Sequence, residues 1–266
     1  MARIELRDCT VRIKDGLGAH PDIYPCTALG NKALTPSKTA VAEGDTTCKV
    51  SSVSIPTAVG GNTKKIPVGA RFTIAGETDA EVVHVVTART QSSESGHEQE
   101  TTDIVFSPAL AAGTYATDAA ITLLPQQLEV KIGDGNITYT EHNEYNYLLD
   151  RDNLDTVKEG KEVPMDVKWD SVYEYITTGT GENISPMDAL KGIGGADEWI
   201  SYSADPCEPY AVAIEVEHVS PCATTKGETT LFPDFRSEQR EVNFKDATIS
   251  VTGKCNVTEP IVTRAA

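Results

Sequence analysis

Five histidines, His20, His84, His97, His142 and His218, are the side chains best suited to acid–base work or metal binding near neutral pH. None falls in the H-E-x-x-H spacing that sets two imidazoles on one helical face around zinc. The run holding Asp150, Asp152 and Asp155 offers the hard oxygen ligands that calcium takes, but it lacks the loop glycine and terminal glutamate of an EF-hand and reads as a solvated, charged loop. Six cysteines, Cys9, Cys26, Cys48, Cys207, Cys222 and Cys255, include no C-x-x-C pair. Cys207, Cys222 and Cys255 lie in the last third and could converge on a metal or a disulfide; small core hydrophobes are the preferred reading, since Cys255 continues the apolar face of a strand. The glycines of KGIGGADE follow a short helix and so stop it, where a phosphate cradle would need them ahead of a helix N-terminus. There is no G-x-S-x-G and no Walker loop. Sequons at Asn136, Asn183 and Asn256 matter only for a secreted glycoprotein. These residues predict no enzyme, no catalytic set, no cofactor and no metal.

Composition bounds the remaining classes. The 266 residues suffice for one large or two modest domains, and two is the expectation. Hydrophobic content of 39% and a mean hydropathy of −0.28 suit a globular protein, and no apolar run approaches the roughly 18 residues of a membrane span. The N-terminal MARIELRDCT lacks the apolar core of a secretory signal, so the protein is expected to act where it is made. A formal net charge of −17 excludes tight, general binding to nucleic acid. The charge is uneven: residues 1–127 carry 11 basic and 14 acidic side chains, residues 128–266 carry 12 and 26.

The elements that must position any site are mostly strands. Ile4 and Leu6, then Cys9, Val11 and Ile13, alternate with charged or polar neighbours; a bulge near Asp8 reconciles the change of parity, and Asp15 and Gly16 end the strand. Leu17 to about Thr46 reads as loop or connector. Short strands follow at Cys48 to Val53, Val68 to Ile74, Val82 to Thr87, Ile104 to Phe106 and Ile121 to Leu124, with Gln91 to Asp103 as a polar hairpin tip. Five strands in about 80 residues suggest a small barrel or sandwich inserted in the main domain. Leu128, Val130 and Ile132, the turn GDGN, and Ile137 and Tyr139 read as a hairpin. Between His142 and Glu162 lies a long polar loop that nevertheless carries Tyr145, Tyr147, Leu148, Leu149 and Leu154. Met165, Val167 and Trp169 mark a strand. Ser185 as N-cap, Pro186 at the first helical position, Asp188 in the first turn and Gly192 past the end mark one short helix. Two more alternating strands cover Val212 to Val216 and Ile249 to Val257, with further strand between them. The expected fold is mainly β: an antiparallel sandwich or barrel of residues 1–45 and 127–266 with one short flanking helix, and an inserted β domain of residues 46–126 on the outer surface.

The segment LEVKIGDGNITYTEHNEYNYLLDRDNLDTVKEGKEVPMDVKWDSVYEYIT resembles the central part of major tail tube proteins of long-tailed, siphovirus-type bacteriophages. There a strand hairpin leads into an acidic loop of LDRxxLDxVKEGKExPMDV character, then a strand, a short helix and closing strands. The opening IELRDCTVRIKDG and closing ATISVTGKCNV are similar to that fold's first and last strands, so the resemblance covers about the first 15 residues and Leu128 to Val257. It implies a structural virion protein whose hexameric rings stack into a tail tube, a conduit for DNA ejection. It also implies assembly in the bacterial host cytoplasm, residence in the virion tail, and partners in its own copies and in tape-measure, tail terminator and baseplate proteins. DNA would be met only in transit, and no membrane is involved. The long loop lies at ring-to-ring contacts in the family, which assigns Tyr145, Tyr147, Leu148, Leu149 and Leu154 to subunit contacts. The insert is a departure from the minimal family fold.

Two other classes stay open on sequence. One is a capsid decoration or head-to-tail connector protein, binding through the inserted module. The other is a carbohydrate-binding or hydrolytic β protein, against which the aromatic content of 6% argues.

Overall fold

The computed structural model describes residues 9–17, 26–30, 42–52, 55–56, 63–64, 68–79, 82–92, 101–115, 120–150, 153–177, 183–203, 205, 207–218 and 227–264. Among the described residues nearly all regular structure is antiparallel strand, with one α-helix and one 3-10 turn. The chain forms two compact units, one of Met1–Lys14, Glu129–Glu174 and Ala211–Ala266, the other of Asp15–Leu128 and Tyr175–Tyr210.

The first unit is built on an eight-stranded sheet. Its strands run in the order Gln127–Val130, Cys9–Lys14, Val212–His218, Glu228–Asn243, Thr248–Cys255, Met165–Val172 and Ile137–Thr140, with Ile261–Arg264 also on Glu228–Asn243. Period-two alternation decides which side chains are buried. Val11 and Ile13 sit opposite Val216 and Ile214, and Met165, Val167, Trp169, Ile249, Val251 and Cys255 are buried. On the opposite face, Arg12 meets Glu215 at 3.1 Å and Glu217 at 2.5 Å, and Lys14 also reaches Glu215. The proposed bulge at Asp8 lies outside the described residues.

Gly253 makes room for an aromatic contact in this core. A Cβ there would stand 2.1 Å from the carbonyl oxygen of Arg236 and 2.7 Å from the Phe235 ring. With no side chain in the way, Phe235 lies across the strand and meets Trp169 at a centroid distance of 5.0 Å.

The hairpin expected around GDGN does not form. A turn is present, with Gly135 N–H donating to Ile132 O, but Gln127–Val130 and Ile137–Thr140 lie at opposite ends of the strand order. The turn's flanks are committed elsewhere: Val172 N–H donates to Lys131 O and Asp170 N–H to Asn136 O. Seven flat strands about 4.8 Å apart would hold the outermost pair ~29 Å from each other. Seven residue steps from Val130 to Ile137 reach at most about 25 Å, so the sheet is curved. Ile132 is therefore a link residue, and Met165–Val172 runs as one strand through Asp170.

The second unit contains a closed barrel in the order Cys26–Gly30, Thr47–Ser52, Thr101–Ser107, His84–Ser92, Arg71–Ile74 and Ala120–Leu124. The five expected strands are all present. The sixth, Cys26–Gly30, falls in the stretch expected to be connector, and it closes the barrel by pairing with both Thr47–Ser52 and Ala120–Leu124. The expected polar tip is shorter, because Gln91 and Ser92 pair with Thr102 and Thr101; residues 93–100 lie outside the described residues.

The helix Pro186–Lys191 begins and ends as expected. Asp188 N–H donates to Ser185 Oγ, Ser185 N–H donates back to Asp188 Oδ2, and Gly192 takes the left-handed conformation at φ 61° that only glycine adopts without cost. Its place differs from expectation, because the helix belongs with the barrel. Ile200, just beyond it, and Leu17 pack into the same buried cluster as Phe72, Phe106 and Ile121, and Val68 N–H donates to Glu198 Oε2 at 3.0 Å. Residues 15–45 and 175–210 are thus grouped with the barrel by a shared core, where the expected division placed them in the main domain.

Asp15 ties this unit together at the point where the chain enters it. Its Oδ1 accepts from Gln126 N–H at 2.7 Å and Leu17 N–H at 3.1 Å, and its Oδ2 from Ile200 N–H at 3.4 Å. Burial pushes the Asp15 carboxyl up to about 7, against the pull of those three donors.

Candidate functional site

The expected long loop is a β-hairpin. Tyr145–Asp150 pairs antiparallel with Asn153–Glu159, with a bulge between Leu148 and Leu149, as a two-stranded sheet separate from the eight-stranded one. Glu and Lys are poor strand formers, so the charge-rich sequence hid a ladder whose signal lies in the Tyr-x-Tyr alternation. The base is pinched where Gly160 N–H donates to Glu144 O at 2.7 Å.

The hairpin continues a pair already in the sheet. Ile137–Thr140 pairs with Met165–Val172, the pairing stops at Thr140 and Asp166, and the chain resumes as Tyr145–Asp150 and Asn153–Glu159 beyond two short irregular legs. It is therefore an arm with a neck at residues 141–144 and 160–164. At the neck His142 Nε2 lies 2.6 Å from Asp166 Oδ2, and Lys254 Nζ lies 3.5 Å from Asp166 Oδ1. The hydrogen bond from His142, helped by Lys254, holds the Asp166 carboxyl below the usual carboxylate range.

Cross-strand register sorts the arm into two faces. Tyr145 opposite Glu159 and Tyr147 opposite Val157 share one face; Asn146 opposite Lys158 and Leu148 opposite Thr156 share the other. Tyr145, Tyr147, Leu148 and Val157 are 50%, 60%, 43% and 53% exposed, so the first face is an apolar surface in contact with water. Leu149 pairs with Leu154 near the tip through the backbone; their side chains lie outside what is described, as do residues 151 and 152. The structure thus brings Tyr145 and Tyr147 onto one face and sets Leu148 on the other. Val157 was not among the expected contact residues, and its position across from Tyr147 adds it to the surface.

Other titratable groups are divided between the core and the surface. His84 is fully buried with Nδ1 2.8 Å from Pro108 O and Nε2 3.0 Å from Glu77 Oε2, and its ring sits between Phe72 and Phe106 at 5.3 and 5.2 Å. The two ring nitrogens thus face Pro108 O and the Glu77 carboxyl group, one on each side of the ring. Glu77 also accepts from Ala111 N–H, and burial together with the Glu77 charge raises the Tyr115 hydroxyl to about 12. Cys255 and Cys207 are free thiols, the first buried and raised to about 12 by burial and by Asp234, the second exposed; Cys222 lies outside the described residues. Among the described residues no group of three or more His, Cys, Asp or Glu side chains is placed to hold a metal ion, and no helix is long and apolar enough to cross a membrane.

No family model, no curated protein and no solved structure matches this chain.

Proposed function

We propose that the protein is a self-assembling structural subunit of a phage tail tube, in which hexameric rings stack into a conduit for DNA. The observation that supports this is the arm. An isolated two-stranded hairpin is marginal in water, yet this one exposes two tyrosines and a valine on a single face, a surface suited to burial against a partner. On this proposal the arm makes a head-to-tail contact, which gives a ring where its rotation closes and a filament where it repeats along an axis. The eight-stranded sheet adds two edge strands, Gln127–Val130 and Ile137–Thr140, that a neighbouring copy could cover.

The net charge of −17 suits a passage for DNA, since carboxylates near the bore repel phosphates within a Debye length of about 10 Å. Its partners on this proposal are its own copies and the tape-measure, terminator and baseplate proteins of the same tail, and its location is the virion. Electron microscopy of concentrated purified protein in negative stain tests it directly: tubes or six-fold rings are expected. A variant lacking Asn143 to Lys158 should remain a folded monomer, and normal tubes from that variant would refute the role given to the arm.

A further inference from the structure

The arm and the most exposed aromatic side chain of the first unit belong to opposite ends of one strand. Met165–Val172 pairs with Thr248–Cys255 from Met165 opposite Cys255 to Val172 opposite Thr248. The arm joins the sheet at the Met165 end. The turn between Glu228–Asn243 and Thr248–Cys255 closes the Val172 end, about 24 Å away for a strand of that length. Phe244 lies in that turn and is 83% exposed, more than any other large hydrophobic side chain among the described residues.

The turn holds its shape without help from Phe244. Asn243 Oδ1 accepts from Lys245 N–H at 3.0 Å and from Asp246 N–H at 3.3 Å, and Asn243 Nδ2 donates to Asp246 Oδ2 at 2.7 Å. Ala247 takes a φ of 49°, uncommon for a residue with a side chain, and its carbonyl accepts from Tyr173 N–H at 2.7 Å. These bonds fix the backbone and present the Phe244 ring as a knob, met edge-on by Tyr173 at a centroid distance of 6.2 Å. A fixed turn that carries an aromatic ring into water has the form of an interface anchor.

A stack of copies needs two different surfaces. If the tyrosine face of one arm met the same face of a second arm, the contact would be isologous and would end at a dimer. A contact that propagates pairs that face with another patch, and a patch at the far end of the same strand carries each step forward along the strand axis. Charge agrees with this pairing. The face of Tyr145, Tyr147 and Val157 also carries the exposed carboxylate of Glu159, opposite Tyr145. At the turn, Asp246 is held by Asn243, while Lys245, next in the chain to Phe244, is exposed and offers an ammonium. We propose that the Phe244 turn is the receptor for the arm of a second copy of this chain, with the Phe244 ring packed on Tyr145, Tyr147 and Val157 and with Lys245 meeting Glu159. This rests on the self-assembly reading above and names the surface that the arm engages. Aromatic packing supplies the contact, and the ion pair sets its register.

Zero-length carbodiimide coupling of the unaltered, concentrated protein tests the contact without requiring tubes, because it joins a carboxylate to an amine only where the two touch. Mass spectrometry of the products should find Glu159 amide-linked to Lys245 as the leading interchain link; its absence overturns the proposal. Charge reversal gives a second readout. Glu159→Lys and Lys245→Glu should each raise the concentration at which assembly begins at least five-fold, and the two together in one chain should bring it back to within two-fold of wild type. Both sites are exposed, so thermal midpoints should stay unchanged. Single variants that assemble like wild type, or a double variant no better than either single one, also overturn it. Tubes without the Glu159–Lys245 link would remove this receptor and leave the assembly role, whereas the link without tubes or rings at any concentration would keep the contact and remove the tube.

Discussion

The carboxylate of Asp15 and the backbone amide of Gln126, separated by 111 positions, meet at 2.7 Å inside the barrel unit. Burial of this carboxyl, against the pull of the Gln126 donor, sets a pH dependence opposite to that of most carboxylates. The folded Asp15 titrates at about 7 against 3.8 unexposed to these effects, so between those values the folded protein holds a proton that the unfolded chain has lost. Stability from this group is greatest below the lower value and falls as pH rises toward 7, by about 4 kcal/mol across the window. Denaturant titrations from pH 4.5 to 8 should show Asp15→Asn flattening this component, and a variant that tracks wild type at every pH would contradict it.

The buried Glu77–His84 pair should be costly to break. Glu77→Gln replaces the carboxyl group that faces His84 Nε2 and accepts from Ala111 N–H beside Phe72 and Phe106, and the disturbed buried hydrogen bonding is expected to cost about 1–3 kcal/mol. Urea midpoints of the two proteins measure it.

Filling the space beneath Phe235 is the third test. Gly253→Ala places a methyl against the backbone of Arg236 and against the Phe235 ring, so a loss of about 1–3 kcal/mol is expected. The near-ultraviolet signal of Trp169 should shift with it, because that indole packs on the displaced ring.

Replacing Tyr145 and Tyr147 together by serine should leave the thermal midpoint within a degree or two, since both side chains are half or more exposed. If the proposed assembly holds, sedimentation velocity at rising concentration should show wild type growing into larger species and the variant remaining monomeric.

Thiol chemistry separates the two cysteines at residues 207 and 255. Burial, reinforced by Asp234, raises Cys255 to about 12, so native protein at pH 8 should be alkylated at the exposed Cys207 and spared at Cys255. Peptide mass spectrometry after a timed iodoacetamide pulse gives the ratio.

What was legible in the residues followed how local its cause is. The helix Pro186–Lys191 was readable to its caps, because Ser185, Asp188 and Gly192 act within one turn of each other. The alternation of Met165, Val167 and Trp169 named a buried strand face, since period two is all that burial on one side requires. Partner choice was not readable. GDGN makes its turn, but its flanking strands are claimed by Cys9–Lys14 and Met165–Val172 across long stretches of chain. Cys26–Gly30 holds one β-branched residue in five, and only barrel closure makes it a strand. At the arm, the apolar side chains were visible in the sequence, while the ladder bringing Val157 beside Tyr147 depends on a register that passes through charged residues.

The long strand Glu228–Asn243 has a mechanical consequence. It is gripped by Val212–His218 over its first half on one side and by Thr248–Cys255 over its second half on the other. Tension drawn through those two neighbours runs along the strand axis, at right angles to the ladder bonds, and loads each set together in shear. A particle built this way should stretch little and give way abruptly, the behaviour expected of a tie-rod.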